Sequence, residues 1–323
     1  MRIGIPRALL YYRYFPFWES FFEGLNVELF VSPPTTEKTI RDGSKLLPGD
    51  LCLPVKIFFG HIESIKHKVD LLFLPRYISV EPDAYMCPKL MGLPDMVRAT
   101  MDSLPPLIDD PIHCKNQGME AEKRFYLKVG KAFSRSIKEI EEAYQRAWMR
   151  QQRFRHLFQK GFSFEEALNV SRSGDPLPNQ KNGRRLSLGV IGRPYYFHDP
   201  FLKGTMVKAI EERGIQLLTS EFWSDQAIER GVKNLRKRIY WSFGKEMVGS
   251  AVRFAEEASV QGMILLASFG CGQDSFNLEM IQHLIKEKIP LLHFVFDEHI
   301  SQGCFSTRVE AFLEMIIRQK ERR

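Results

Sequence analysis

The chain has 323 residues, 44% hydrophobic and 26% charged, with a formal net charge of +7. That length exceeds one ordinary core and suits two domains, and the composition is that of a soluble globular protein, not a disordered one. No uncharged apolar run reaches the roughly 18 residues of a membrane span, and five sparse cysteines without a C-x-x-C pair exclude a disulfide scaffold and a zinc ribbon.

The basic excess could draw nucleic acid, an acidic partner or a phosphorylated substrate. The plainer account places it on the solvated face of a long helix, so no nucleic-acid partner is expected. Near the N-terminus Arg7, Arg13 and Glu19 interrupt the apolar ALLYY and FPFW, so a first strand is expected instead of a signal peptide, and a cytoplasmic location with it.

Arg2 to Pro6 reads as a strand, Ala8 to Leu25 as a helix with Phe17, Phe21 and Leu25 on one face, Val27 to Val31 as a strand, and Thr36 to Leu47 as a helix. This alternation predicts a parallel sheet with crossovers. Cys52 precedes a helix with Pro54 in its first turn, and Val69 to Leu74 is an apolar strand of the kind covered on both faces. The following loop delivers Cys87. Leu104 to Asp110, with two prolines, closes the first domain as an edge segment. From 119 to about 160, apolar residues from Tyr126 to Trp148 step by threes and fours, predicting one helix about 60 Å long if unbroken. Such a helix would bridge two domains or pack across a dimer, with a bend near Gly130.

Ser163 and Glu166 form a capping box for a short helix, and Ser173 to Arg185 reads as a linker. The second half repeats the rhythm. Strands are expected at Leu186 to Ile191, Ile215 to Thr219, Met263 to Ala267 and Leu291 to Phe296. Helices are expected around Met206 to Glu212, within 225 to 258, from Phe276 to Lys288, and from Thr307 to Ile317. The fold class is therefore α/β, with two Rossmann-like (flavodoxin-like) parallel-sheet domains joined by a long helical segment. The expected limits are 1–118, 119–185 and 186–323.

Three stretches concentrate the chemistry: DLCLPVK around Cys52, AYMCPKLMGLPD around Cys87 and SFGCGQDS around Cys271. Each sets a cysteine at a loop-to-helix junction beside proline or glycine. Parallel α/β sheets bind ligands outside the carboxyl ends of their strands, so all three thiols are expected at the cleft edges of their domains, in a site assembled from both. A helix N-terminus favours a thiolate by about 0.3–1 kcal/mol. Three thiolates without a histidine partner suit iron–sulfur chemistry, and three ligands on a cubane leave one iron for a non-protein ligand or substrate. The alternative is that small apolar cysteines fill the core.

These stretches, with MRIGIPRALLYY, LFLPRYISVE and TRVEAFLEM, resemble the uncharacterised domain appended to CoA-enzyme activases. That domain is itself similar to the iron–sulfur subunits of 2-hydroxyacyl-CoA dehydratases, benzoyl-CoA reductase-type proteins and double-cubane cluster proteins. The resemblance covers residues 1 to about 110 and about 186 to 317. It implies an iron–sulfur cluster, one 4Fe–4S cubane or part of a double cubane, on Cys52, Cys87 and Cys271. It also implies low-potential electrons from a partner activase that hydrolyses ATP; protein-bound clusters reach about −700 mV. The activase ATPase domain is absent, so it would act in trans. Cys304 stands where such relatives carry a small residue, as a fourth ligand or a bland substitution, and Cys114 lies outside the shared motifs and reads as incidental.

GRPYYFHDP after Ile191 reads as a turn, with phosphate cradling the weaker alternative. Arg76 is either a cluster or carboxylate partner or a surface ion pair, and Asp274 and Ser275 are expected to cap the next helix. His61, His198 and His293 lack metal spacing. The expected protein is an iron–sulfur component, a homodimer, acting on a small reducible molecule or an acyl-CoA. A non-catalytic electron carrier docking the activase and a metal-free binding module are the alternatives.

Overall fold

The computed structural model describes residues 1–115, 118–179, 186–257, 259–299 and 302–321, the side chains at 119, 205, 206, 208, 209, 211, 302–305, 320 and 321 aside. The chain divides into two compact units. The first comprises Met1–Arg155, Leu168–Asp175 and Ile239–Ser242, and the second His156–Ala167, Pro176–Arg238 and Phe243–Arg323.

In chain order the first unit carries β1 (Arg2–Ile5), α1 (Tyr11–Gly24), β2 (Glu28–Val31), α2 (Glu37–Leu46), α3 (Leu53–Ile65), β3 (Leu71–Phe73), β4 (Arg76–Ser79), α4 (Pro88–Met91), α5 (Leu93–Thr100), β5 (Leu107–Ile108), β6 (Pro111–His113) and α6 (Met119–Ala132). Its sheet runs β2-β1-β3-β5 with every pair parallel. β5 is the edge strand expected within Leu104 to Asp110, directly after its two prolines. β4 and β6 form a separate parallel pair that the sequence does not announce, because each is only three or four residues long. Ile3 and Ile5 are fully buried, and α1 covers the sheet with Trp18, Phe21 and Phe22. α2 and α3 touch backbone to backbone: a Cβ on Gly43 would lie 1.8 Å from the Lys56 carbonyl oxygen, and one on Gly60 2.0 Å from that of Thr39. Only glycine permits that approach, and it fixes the helix that Cys52 opens.

The single helix expected over 119–160 is two helices. After α6, Ser134 adopts a left-handed φ of 57°, and α7 (Ile137–Gln159) starts afresh. The Ser136 N–H donates to Glu139 Oε2 at 2.8 Å, and the Glu139 N–H donates back to Ser136 Oγ at 3.3 Å. This capping box stops one helix and begins another, although the apolar periodicity runs through both. Gly130 receives the Ile140 side chain where α6 and α7 meet. The expected capping box at Ser163 and Glu166 does open α8 (Phe164–Ser173). The expected linker from Ser173 to Arg185 has no regular secondary structure over 174–179, with Gly174 at a left-handed φ of 71°, and 180–185 lie outside the described residues.

The second unit carries β7 (Ser187–Ile191), α9 (Pro194–His198), α10 (Pro200–Glu211, kinked at Gly204), β8 (Gln216–Thr219), α11 (Asp225–Val232), α12 (Ser242–Glu256), β9 (Gly262–Ser268), α13 (Gly272–Ile285), β10 (Leu291–Phe296) and α14 (Gln302–Glu321). All pairs in its sheet are parallel, in the order β8-β7-β9-β10. β9 is buried along its whole length, as expected of a strand covered on both faces. Counted within each unit, both sheets follow the order second, first, third, fourth, the flavodoxin-like arrangement with its switch point between first and third strands. No helix among the described residues is long and apolar enough to cross a membrane.

Candidate functional site

Cys52 is the N-cap residue of α3, in extended backbone (φ −65°, ψ 144°), with Pro54 inside the first turn. It is 8% exposed. The buried Lys56 reaches back from that turn and donates from Nζ to the Gly49 carbonyl at 2.9 Å, tying down the loop that delivers the cysteine.

Cys87 caps the one-turn helix α4, which begins at Pro88. The chain ahead of it is pinned on two sides. The Tyr85 N–H donates to the Tyr240 carbonyl at 2.7 Å, the Ser242 N–H donates to the Tyr85 carbonyl at 3.1 Å, and the Met86 N–H donates to the Ile78 carbonyl at 2.9 Å. With one turn, α4 supplies little dipole; proline and the pinned segment ahead of it set the position of this thiol.

Cys271 is the most elaborated of the three. It follows β9 through Gly270, whose φ of 73° needs glycine, and caps the fourteen-residue α13. β9 adjoins β7 at the switch point of the second sheet, and two residues beyond β7 stands Arg193. Arg193 is 2% exposed. Its Nε donates to Asp274 Oδ1 at 2.7 Å, and its Nη2 donates to Gln273 Oε1 at 2.8 Å and toward Cys271 Sγ at 3.9 Å. Tyr196 Oη donates to the other Asp274 oxygen at 2.6 Å, and the Phe243 ring lies 5.5 Å from the guanidinium carbon. A guanidinium can only donate, so the Gln273 amide must turn its oxygen toward Arg193. Its Nε2 then faces away, buried and without an acceptor among the described residues.

Two sequence expectations change here. Asp274 does not cap α13; its carboxylate is spent on Arg193 and Tyr196, because a buried guanidinium outcompetes backbone N–H groups that can reach water. GRPYYFHDP is not a turn but opens α9, and Gly192 is there to pack against β9: a Cβ would meet that of Leu266 at 2.9 Å. Arg193 and Gln273 escaped the sequence reading altogether. The only signal was an arginine just past a strand end, ahead of a helix-starting proline.

Arg76 settles as an ion pair, with Nη2 2.7 Å from Asp95 Oδ1 and 3.4 Å from Asp109 Oδ2. Cys114 is buried, and burial pushes its thiol up to about 11, with the Glu122 carboxylate adding to the shift. Burial also raises Glu122 itself to about 7. A thiol held protonated in this way is a poor metal ligand. His61 is buried between Ser32 and Thr35, and His198 pairs with Glu221 at 3.1 Å.

Cys52, Cys87, Cys114 and Cys271 are thiols outside any disulfide; the Cys304 side chain lies outside the described residues. Cys52 and Cys87 belong to the first unit and Cys271 to the second. Among the described residues no group of three or more His, Cys, Asp or Glu side chains is placed to hold a metal ion.

Two parallel-sheet units of the same strand order place the chain in the class of flavodoxin-like α/β proteins, and sequence comparison narrows the class. Residues 2–222 match the CoA enzyme activase uncharacterised domain (DUF2229), and residues 178–316 match the D-component of 2-hydroxyglutaryl-CoA dehydratase. The first match spans more than half of the chain, which therefore belongs to the CoA enzyme activase uncharacterised domain family. A search of curated proteins returns no match.

Proposed function

We propose that the chain is an iron–sulfur protein in which Cys52, Cys87 and Cys271 hold the cluster, a 4Fe–4S cubane or part of a double cubane. It takes low-potential electrons from a separate ATP-dependent activase and delivers them to a small reducible molecule or an acyl-CoA, in a reduction or a dehydration. The two matches support this reading, since one names a CoA enzyme activase and the other a component of a CoA dehydratase. The homodimer and the cytoplasmic setting are part of the proposal.

The observation that carries it is the setting of Cys271. A thiol at a sheet switch point has a buried guanidinium beside it and, two residues on, a buried amide N–H without an acceptor among the described residues. That donor set fits a sulfur-rich anionic group, because thiolate and sulfide accept hydrogen bonds and their negative charge is stabilised by cationic donors. Gly272 adds room: a Cβ there would meet nothing within 4 Å. When bound, the cluster supplies one-electron transfer at low potential. The protein's own contribution is to present three thiols on rigid helix openings, two of them set by Pro54 and Pro88.

Anaerobic purification of the full chain, with iron and acid-labile sulfide analysis and EPR after reduction, tests the proposal. A brown protein with matching iron and sulfide, reduced only when activase and ATP are supplied, is the expected result. A colourless protein without iron overturns it.

A further inference from the structure

The pair formed by Arg193 and Asp274 needs a reason to exist. Their side chains are 2% and 0% exposed, on residues 81 positions apart. Burying two charges costs several kcal/mol per ion, and well-packed apolar residues often do as well or better in such places. Stability alone therefore does not account for the pair. What it does achieve is geometric. Asp274, itself held by Tyr196, fixes the guanidinium so that Nη2 faces Gln273 and Cys271, and Gln273, held by its oxygen, keeps an amide N–H turned from Arg193 and without an acceptor among the described residues. Two sets of N–H donors are thus fixed within one helical turn of a thiol, and one of them has no acceptor in the described protein.

We propose that Arg193 and Gln273 are positioning residues that raise the reduction potential of the group bound at Cys271 by directing N–H donors at its sulfur atoms. The inference rests on the cluster reading above and deepens it. The reduced group carries one more negative charge than the oxidised one, so fixed donors and a nearby cation stabilise the reduced form more. Hydrogen bonds to sulfur are among the levers that set iron–sulfur potentials, and partners outside the ligand set tune metal sites by this route. Asp274 and Tyr196 act one step further out, holding Arg193 in place.

The test is an EPR-monitored redox titration of the full-length chain, purified anaerobically, with thermal unfolding measured on the same samples. Three proteins are compared with wild type: Gln273→Leu, Arg193→Lys, and the double variant Arg193→Gln with Asp274→Asn, which removes both charges and strands neither. Gln273→Leu and the double variant should each lower the equilibrium constant for one-electron reduction about tenfold, which is about 59 mV toward negative potential. Arg193→Lys, keeping the charge, should recover part of the loss seen in the double variant. A purely structural role would move the unfolding temperature and leave the potential alone. An iron-loaded wild type whose potential matches that of Gln273→Leu and of the double variant overturns this inference while the cluster reading stands. A wild type that binds no iron overturns both.

Discussion

The two sheets share a strand order, and each carries an arginine two residues beyond its first strand, yet the two corners are built from different chemistry. At the first corner Arg7 is half-buried. Its backbone N–H donates to Ser32 Oγ at 2.8 Å, its Nε donates to the Ser32 carbonyl at 3.2 Å, and no carboxylate pairs with it among the described residues. Behind Ser32 lies His61, bonded through Nδ1 to Ser32 Oγ and through Nε2 to Thr35 Oγ1, both at 2.9 Å. At the second corner Arg193 is fully enclosed, paired with Asp274 and turned toward a thiol. At the first corner a histidine is locked between two hydroxyls, and the half-buried arginine beside it has no carboxylate partner among the described residues. The second buries a full ion pair and leaves a donor unspent. Equivalent positions in a fold thus carry unequal burdens, and the costly one sits beside the cysteine.

The sharpest way to break this contrast is Asp274→Ala. It strands a buried guanidinium and should cost about 3–5 kcal/mol of unfolding free energy in a chemical denaturation experiment. A loss within about 0.5 kcal/mol, the range of an ordinary surface change, would show that the pair is not buried as described.

A smaller effect tests the first corner. Burial, helped by the Arg7 charge, lowers His61 from 6.5 to about 3. Below 6.5 the unfolded chain takes up a proton that the folded chain refuses, so stability falls as pH drops through the window from 6.5 to 3. About 2 kcal/mol should be lost between pH 7 and pH 5. His61→Gln should flatten that slope when denaturation midpoints are followed against pH. An unchanged slope would mean that the acid lability comes from elsewhere.

The difference between the corners also marks what sequence can and cannot reveal. Strand and helix alternation, the prolines that open α3 and α4, and the capping box at Ser163 were legible because each is written in neighbouring residues. The likeness to the activase-linked domain was legible for the same reason, since its motifs are short contiguous strings such as CLPVK and FGCG. The break between α6 and α7 was obscured because apolar spacing continues through it, and local capping decided the matter. The pairing of Arg193 with Asp274 could not be read at all. It joins residues 81 apart through the adjacency of β7 and β9, and Asp274 in isolation looks like an ordinary helix cap.

Iron content across four single variants, each purified anaerobically as the full chain, bears most directly on the account. Cys52→Ala, Cys87→Ala and Cys271→Ala should each lose most of the iron and sulfide, whereas Cys114→Ala, removing a thiol that burial keeps protonated, should retain the wild-type amount. The same iron content in all four proteins would contradict it.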